Sequence, residues 1–320
     1  MSSTASTWTD RLSTWAERLP TRVGRGVHAL AIASLASQIG IIVTGGAVRL
    51  TESGLGCSEW PNCMPGSMTP TPEMGIHGVI EFGNRVLTFV LAAIAVAMIV
   101  SLWNMRRSHP TLFRLALGLL GVIPAQAFIG GITVWTDLNP WVVGLHFLVS
   151  ATVVGFATLL VNRTRMRLRG QDRLAPLSAP AGLASLGWAI LASTGAALVL
   201  GTIVTGTGPH AGDAGAPRHA FDPEIVTRLH TAPVYVLIAA TLAAVVLVLR
   251  RLPGTDAPSK GLRRGLVLLV IVILAQGGIG YWQHFTGLPI GLVLLHMLGS
   301  ALLAAAAVNV WDRATGRFPL

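Results

Sequence analysis

The stretch Ala125-Gln126-Ala127-Phe128-Ile129-Gly130, with His146 beyond it, returns as Ala275-Gln276-Gly277-Gly278-Ile279-Gly280 and His296 at a constant shift of 150 positions. A second echo, Val43-Thr44-Gly45 against Val204-Thr205-Gly206, ties the start of the chain to its middle. Recurrence of this kind marks one structural unit used twice, so the chain reads as two halves.

Outward from these echoes, apolar runs of about 20 residues or more, enough to cross a bilayer, fall at 28–47, 78–103, 114–135, 141–161, 183–205, 227–249, 265–283 and 290–311. The expected fold is all-α: a polytopic membrane protein of eight transmembrane helices arranged as two repeated four-helix bundles. The divisions follow as a cytoplasmic segment 1–27, a first half 28–161, a cytoplasmic linker 162–182 rich in Arg, Pro and Ala, a second half 183–311 and a cytoplasmic tail 312–320. Each half holds an even number of spans, so both enter the membrane in one direction and are related by an axis along its normal.

Composition agrees. Only 11% of residues are charged and 52% are apolar, whereas a soluble domain carries about 25% charged residues. The net charge of +10 could suggest nucleic acid, but its distribution is topological. With the amino terminus inside, 19 of the 23 basic residues lie on inner segments, which places both termini in the cytoplasm by the positive-inside rule and excludes nucleic-acid binding. Two cysteines exclude a disulfide-rich scaffold or a Cys-based cluster, and no Walker, Rossmann or HExxH spacing occurs. The first apolar run lacks a small-residue cleavage site and belongs to the repeat, so it is not a removable signal.

Polar groups inside apolar spans need a reason to be there. His146, His230 and His296 each lie about five to seven residues in from the outer end of an even-numbered helix, roughly 8 to 10 Å deep at 1.5 Å per residue. One such His is more often a helix contact than a ligand; three at one depth, two of them related by the repeat, favour ligation. A haem held between His230 and His296 fits a four-helix bundle, whereas zinc asks for three or four close ligands. In the first half, His77, Glu81, Asn84 and Thr88 form one polar stripe on the second helix. Glu81 either serves proton transfer beside a reacting cofactor or pairs with Arg85 one turn on. Arg49, Arg85 and Arg228 near the outer interface either pair with haem propionates or snorkel. Gln126 and Gln276, each one turn before a Gly, read as interhelical hydrogen-bonding groups in preference to direct haem contacts. Cys57 and Cys63 stand in the first outer loop, in an oxidising compartment, and are expected as a disulfide, either a redox-active pair or a staple. His210, Asp213, His219 and Asp222 in the third outer loop read as solvated polar residues rather than metal ligands.

The outer loop makes the reading specific. Gly45-Gly46-Ala47-Val48-Arg49-Leu50-Thr51-Glu52-Ser53-Gly54-Leu55-Gly56-Cys57, then Trp60-Pro61-Asn62-Cys63, then Ile80-Glu81-Phe82-Gly83-Asn84-Arg85 resemble the signature of the haem A synthase family, and the resemblance covers nearly the whole chain. It implies a bacterial cell-membrane oxidoreductase of cytochrome oxidase assembly. Such an enzyme oxidises a ring methyl of haem O to a formyl group, with haem b as cofactor and haem O as substrate. By that resemblance His230 and His296 would ligate haem b, His146 would be an axial ligand of haem O, and Glu81 would be the essential acid. The chain departs from the family where many members carry a His and it carries Asn84. Either His77 takes over as the second substrate ligand or that iron keeps an open position. The resemblance also implies a redox partner, and leaves room for docking by a haem O synthase and for a homo-oligomer. Two rivals remain: a non-enzymatic b-type cytochrome, which uses the same histidines but has no need of Glu81, and a two-half transporter, which does not explain the shared depth of the histidines.

Overall fold

The computed structural model describes residues 14–15, 17–170, 180–252, 254 and 257–316. Among them are eight helices long and apolar enough to span a membrane: α1 (Arg25–Leu50), α2 (Gly75–Leu102), α3 (Pro110–Trp135), α4 (Pro140–Leu168), α5 (Leu183–Thr207), α6 (Pro223–Arg251), α7 (Ala257–Phe285) and α8 (Ile290–Thr315). No strand is formed among the described residues. The chain is a multi-pass membrane protein.

Local chemistry sets the helix starts. Prolines 110, 140 and 223 open α3, α4 and α6, where their missing N–H costs no hydrogen bond. Asn139 and Asp222 cap the same helices α4 and α6 by accepting from backbone N–H groups one turn in. Helices run past the apolar stretches mainly at the arginine-rich end: α4 continues to Leu168 and α7 begins at Ala257. Arginine is a good helix former, so the polar turns beyond an apolar run stay helical.

Each half closes on itself, with α4 packed back on α1 and α8 on α5, while α1 and α4 meet α8, and α4 meets α5, between the halves. The two largest apolar cores occupy the arginine end of each bundle. One gathers Val27, Met98, Leu102, Leu112 and Leu160; the other gathers Ile190, Leu237, Leu262, Leu269 and Val310. Toward the opposite end, which carries the loops 51–74 and 208–222, the bundle interiors hold the histidines instead.

Two polar ties join the halves. At the arginine end, Arg163 and Asp312 form a two-pronged ion pair, both side chains within 2% of full burial, and Asn162 Nδ2 donates to the same carboxylate at 3.0 Å. Asn162 and Asp312 stand at the 150-residue shift of the repeat, as do Arg163 and Arg313. At the loop end, Arg49 donates to the carbonyls of Thr205 (3.0 Å) and His210 (2.7 Å), so a cation from α1 caps the carboxy-terminal turn of α5. The Gly54 N–H adds a bond to the Gly212 carbonyl, 2.8 Å.

Candidate functional site

His146, His230 and His296 follow the first residues of α4, α6 and α8 by six, seven and six positions, so the structure brings all three to one level, near the loop end. Each ring abuts a glycine of a neighbouring helix. A Cβ at Gly130 would lie 3.6 Å from Cε1 of His146, one at Gly201 3.2 Å from that of His230, and one at Gly280 3.4 Å from that of His296. His230 also lies beside Ala197 on α5, and His230 and His296 are near enough to interact electrostatically. The backbone of two of these turns is braced: Gln126 Nε2 donates to the His146 carbonyl (3.3 Å) and to Ser150 Oγ, and Gln276 Nε2 donates to the His296 carbonyl (3.1 Å). The glutamines are therefore interhelical hydrogen-bonding groups, as their spacing suggests.

Nδ1 of His146 and of His296 is buried without a hydrogen-bond partner. An unpaired buried imidazole is costly unless something else binds it. The described residues contain no group of three or more His, Cys, Asp or Glu able to hold a bare metal ion. A metal that brings its own equatorial ligands and asks the protein for one or two axial imidazoles fits these residues: a haem. A zinc ion does not.

The first half differs. Cys57 and Cys63 form a disulfide, and the loop it closes lies against the ends of α2 and α3. Trp60 packs edge-on to Phe128 and Trp135, and a side chain at Gly131 would overlap its ring. Gly56 passes so close to α2 that a Cβ there would come within 2.3 Å of the His77 carbonyl oxygen, an approach open only to glycine. Glu81, 6% exposed, sits beneath this loop. Its Oε2 accepts the Cys57 N–H at 2.5 Å, and its Oε1 accepts from Arg85 Nε at 3.1 Å and from Arg85 Nη2. Arg85 in turn donates to the carbonyls of Cys57, Glu59 and Asn62. Both oxygens of Glu81 act as acceptors, as an ionised carboxylate does, and the pair clamps the disulfide loop to α2.

The rest of the polar stripe is engaged residue by residue. His77 Nδ1 meets Ser53 Oγ at 2.9 Å, and Asn84 Oδ1 accepts from Thr44 Oγ1 at 2.7 Å. Arg228 lies on an exposed face paired with Glu224. In the loop 208–222, His210 Nε2 meets the Leu288 carbonyl, Asp213 accepts the Gly215 N–H and Asp222 caps α6; these are local structural bonds. His219 packs at a tilt against Trp141 with ring centroids 4.3 Å apart, and burial, helped by the charge of Arg49, holds its imidazole below the usual value. Sequence reasoning missed the Arg163–Asp312 tie. The 150-residue shift, carried past the histidines to Asn162 and Asp312, was the signal that could have found it.

Fold and site together define a class: an eight-span membrane protein of two four-helix halves with histidine pockets suited to haem iron. The chain belongs to the cytochrome oxidase assembly protein family, whose model matches residues 28–308. It is similar to proteins named heme A synthase from Symbiobacterium thermophilum, 29% identical over 79% of this chain and 83% of the relative, and from Sinorhizobium fredii, 25% identical over 92% and 91%. A third, from Lysinibacillus sphaericus, is 34% identical over 41% of this chain and 42% of its own.

Proposed function

We propose that the protein is a haem A synthase, converting haem O to haem A by successive hydroxylation of one ring methyl group, for the assembly of terminal oxidases. The observation that carries this is the asymmetry between the halves. The second half offers two neighbouring imidazoles, His230 and His296, which would hold a haem b, and that group would supply electron transfer. The first half offers one, His146, in a bundle whose neighbouring helix carries a buried carboxylate. When bound, the haems supply the redox chemistry.

The chain's own residues hold and shield them. Gln126 and Gln276 fix the turns that carry His146 and His296, and the glycines at 130, 201 and 280 leave room for the rings. The disulfide loop, clamped by Glu81 and Arg85 and wedged by Trp60, covers the loop end of the substrate bundle and keeps water from it. Glu81 Oε2 and Oε1, held by three N–H groups, present a fixed negative charge on the substrate side. There it can take up a proton released as the methyl group is oxidised, or stabilise positive charge developing on that carbon. Both termini are on the cytoplasmic side in this reading, the loop end faces outward, and a haem O synthase in the same membrane supplies the substrate.

Glu81→Gln tests the assignment, because it keeps the shape but removes the titratable oxygen. Haems extracted from the purified variant should contain haem b with accumulated haem O and little haem A. Haem A at the parental level, at equal expression, would remove Glu81 from the reaction and leave it only the loop clamp.

A further inference from the structure

We infer that the substrate-side iron is held by His146 alone, and that its opposite face is a pocket for a small diatomic ligand, with the Asn84 amide as the hydrogen-bond donor to that ligand. The inference rests on the haem reading of the first half and deepens it.

The repeat supplies the geometry. In the second half the residue of α6 that reaches α5 is His230, whose ring fills the space before Gly201. The shift that carries Thr44 to Thr205 carries Gly40 to Gly201. In the first half the residue of α2 that reaches α1 at this level is Asn84, through Thr44. Beyond the backbone of α1 itself and the adjoining residues, nothing lies within 4 Å of a Cβ built at Gly40. Where one bundle has an imidazole, the other has a short amide and a gap.

The Asn84 amide turns its oxygen toward the Thr44 hydroxyl. Thr44 has one hydroxyl proton and two acceptors in reach, Asn84 Oδ1 at 2.7 Å and the Ile41 carbonyl at 3.3 Å. With Oδ1 accepting from Thr44, the Asn84 NH2 is left to donate elsewhere, and it makes no other hydrogen bond among the described residues. Rival ligands are committed. His77 is bound to Ser53 and lies seven residues toward the loop end, about 10 Å along the helix axis, with its backbone pinned under Gly56. Both Glu81 oxygens are occupied. An iron with one axial imidazole is high-spin and open to dioxygen or its probe carbon monoxide, and a nearby donor tunes that ligand.

The test is absorption, electron paramagnetic resonance and infrared spectroscopy of the purified, haem-loaded protein with and without carbon monoxide. The parent should show one low-spin haem that ignores carbon monoxide and one high-spin haem that binds it. Asn84→His should turn the second haem low-spin and abolish its carbon monoxide binding. Asn84→Leu should keep the binding but move the C–O stretch to higher wavenumber, and His77→Ala should change neither. A parent with two low-spin haems, or a His77→Ala variant that newly binds carbon monoxide, overturns the open site. Failure of the underlying haem reading looks different: the haem that binds carbon monoxide would then survive His146→Ala.

Discussion

The two halves descend from one pattern yet hold their loop ends shut by different means. In the first half the covering loop is closed covalently by Cys57–Cys63 and clamped by the pair of buried Glu81 and half-buried Arg85. In the second the loop 208–222 carries no cysteine and is held by packing of His219 on Trp141 and by the bond from Arg49 to the His210 carbonyl. The interiors differ in the same direction: paired imidazoles and a filled space in the second half, a single imidazole with a charged neighbour in the first. The two halves share a symmetric frame, and on the function proposed above the departures from symmetry separate the half that holds the substrate from the half that holds haem b.

The largest effect that can break this contrast comes from the ligands. His230→Ala or His296→Ala should abolish the low-spin haem b spectrum while the protein still folds, since the main apolar core of this half lies toward the other end of the bundle. His146→Ala should leave that spectrum intact. Loss of low-spin haem from the His146 variant would mean that the halves had been assigned the wrong way round.

Next in size is the tie between the halves at the arginine end. Asp312→Ala removes the carboxylate facing Arg163 in a site 1% exposed, and breaking a buried pair by removing one partner costs about 3–5 kcal/mol. Thermal denaturation in detergent should show a clear loss for Asp312→Ala. A double Arg163→Met, Asp312→Leu change should recover most of it, because apolar replacement of a buried pair is often neutral. The exposed Arg228–Glu224 pair is the control: Glu224→Ala should fall within the scatter of surface substitutions.

A smaller effect separates two equivalent glycines. Gly201→Val pushes a branched side chain at a ring already 3.2 Å from the Cβ position, so part of the low-spin haem b signal should be lost. Gly40→Ala meets nothing within 4 Å; the haem b spectrum should be unchanged, and α1 should gain about 1 kcal/mol of helix stability. Equal damage from both would argue that the first bundle is as full as the second.

Much of this was legible in the sequence, for physical reasons. Long apolar runs and the repeat locate the spans to within a few residues on the loop side, because prolines 110, 140 and 223 and the caps Asn139 and Asp222 sit where helices must start. The histidine level follows from counting along each span. What stayed hidden depends on chain segments folding back. Cys57 donates its backbone N–H to a carboxylate 24 positions away, and Arg49 binds backbone carbonyls of the other half; neither kind of bond leaves a side-chain pattern to read. Arg163 looked like one more inner-loop cation because its partner Asp312 lies at the far end of the chain, beyond the last apolar run.

The smallest effect concerns the two loops themselves. Burial, with Arg49 nearby, lowers the folded-state pKa of His219, while the unfolded value stays near about 6.5. Below that value the released imidazole binds a proton that the docked ring resists, so docking weakens as the pH falls from the unfolded value toward the lowered folded one. Above it the ring is neutral in both states and no penalty applies. The loop of the first half is closed by a disulfide, which does not titrate, and by the Glu81–Arg85 ion pair; neither contains an imidazole. Hydrogen exchange at pH 7.5 and pH 5.5, corrected for intrinsic rates, should therefore show the loop 208–222 losing protection on acidification while residues 57–63 keep theirs, and His219→Gln should remove the difference. If protection of the two loops fell together, or if the His219→Gln protein still lost it, closure of the second half would not depend on this imidazole.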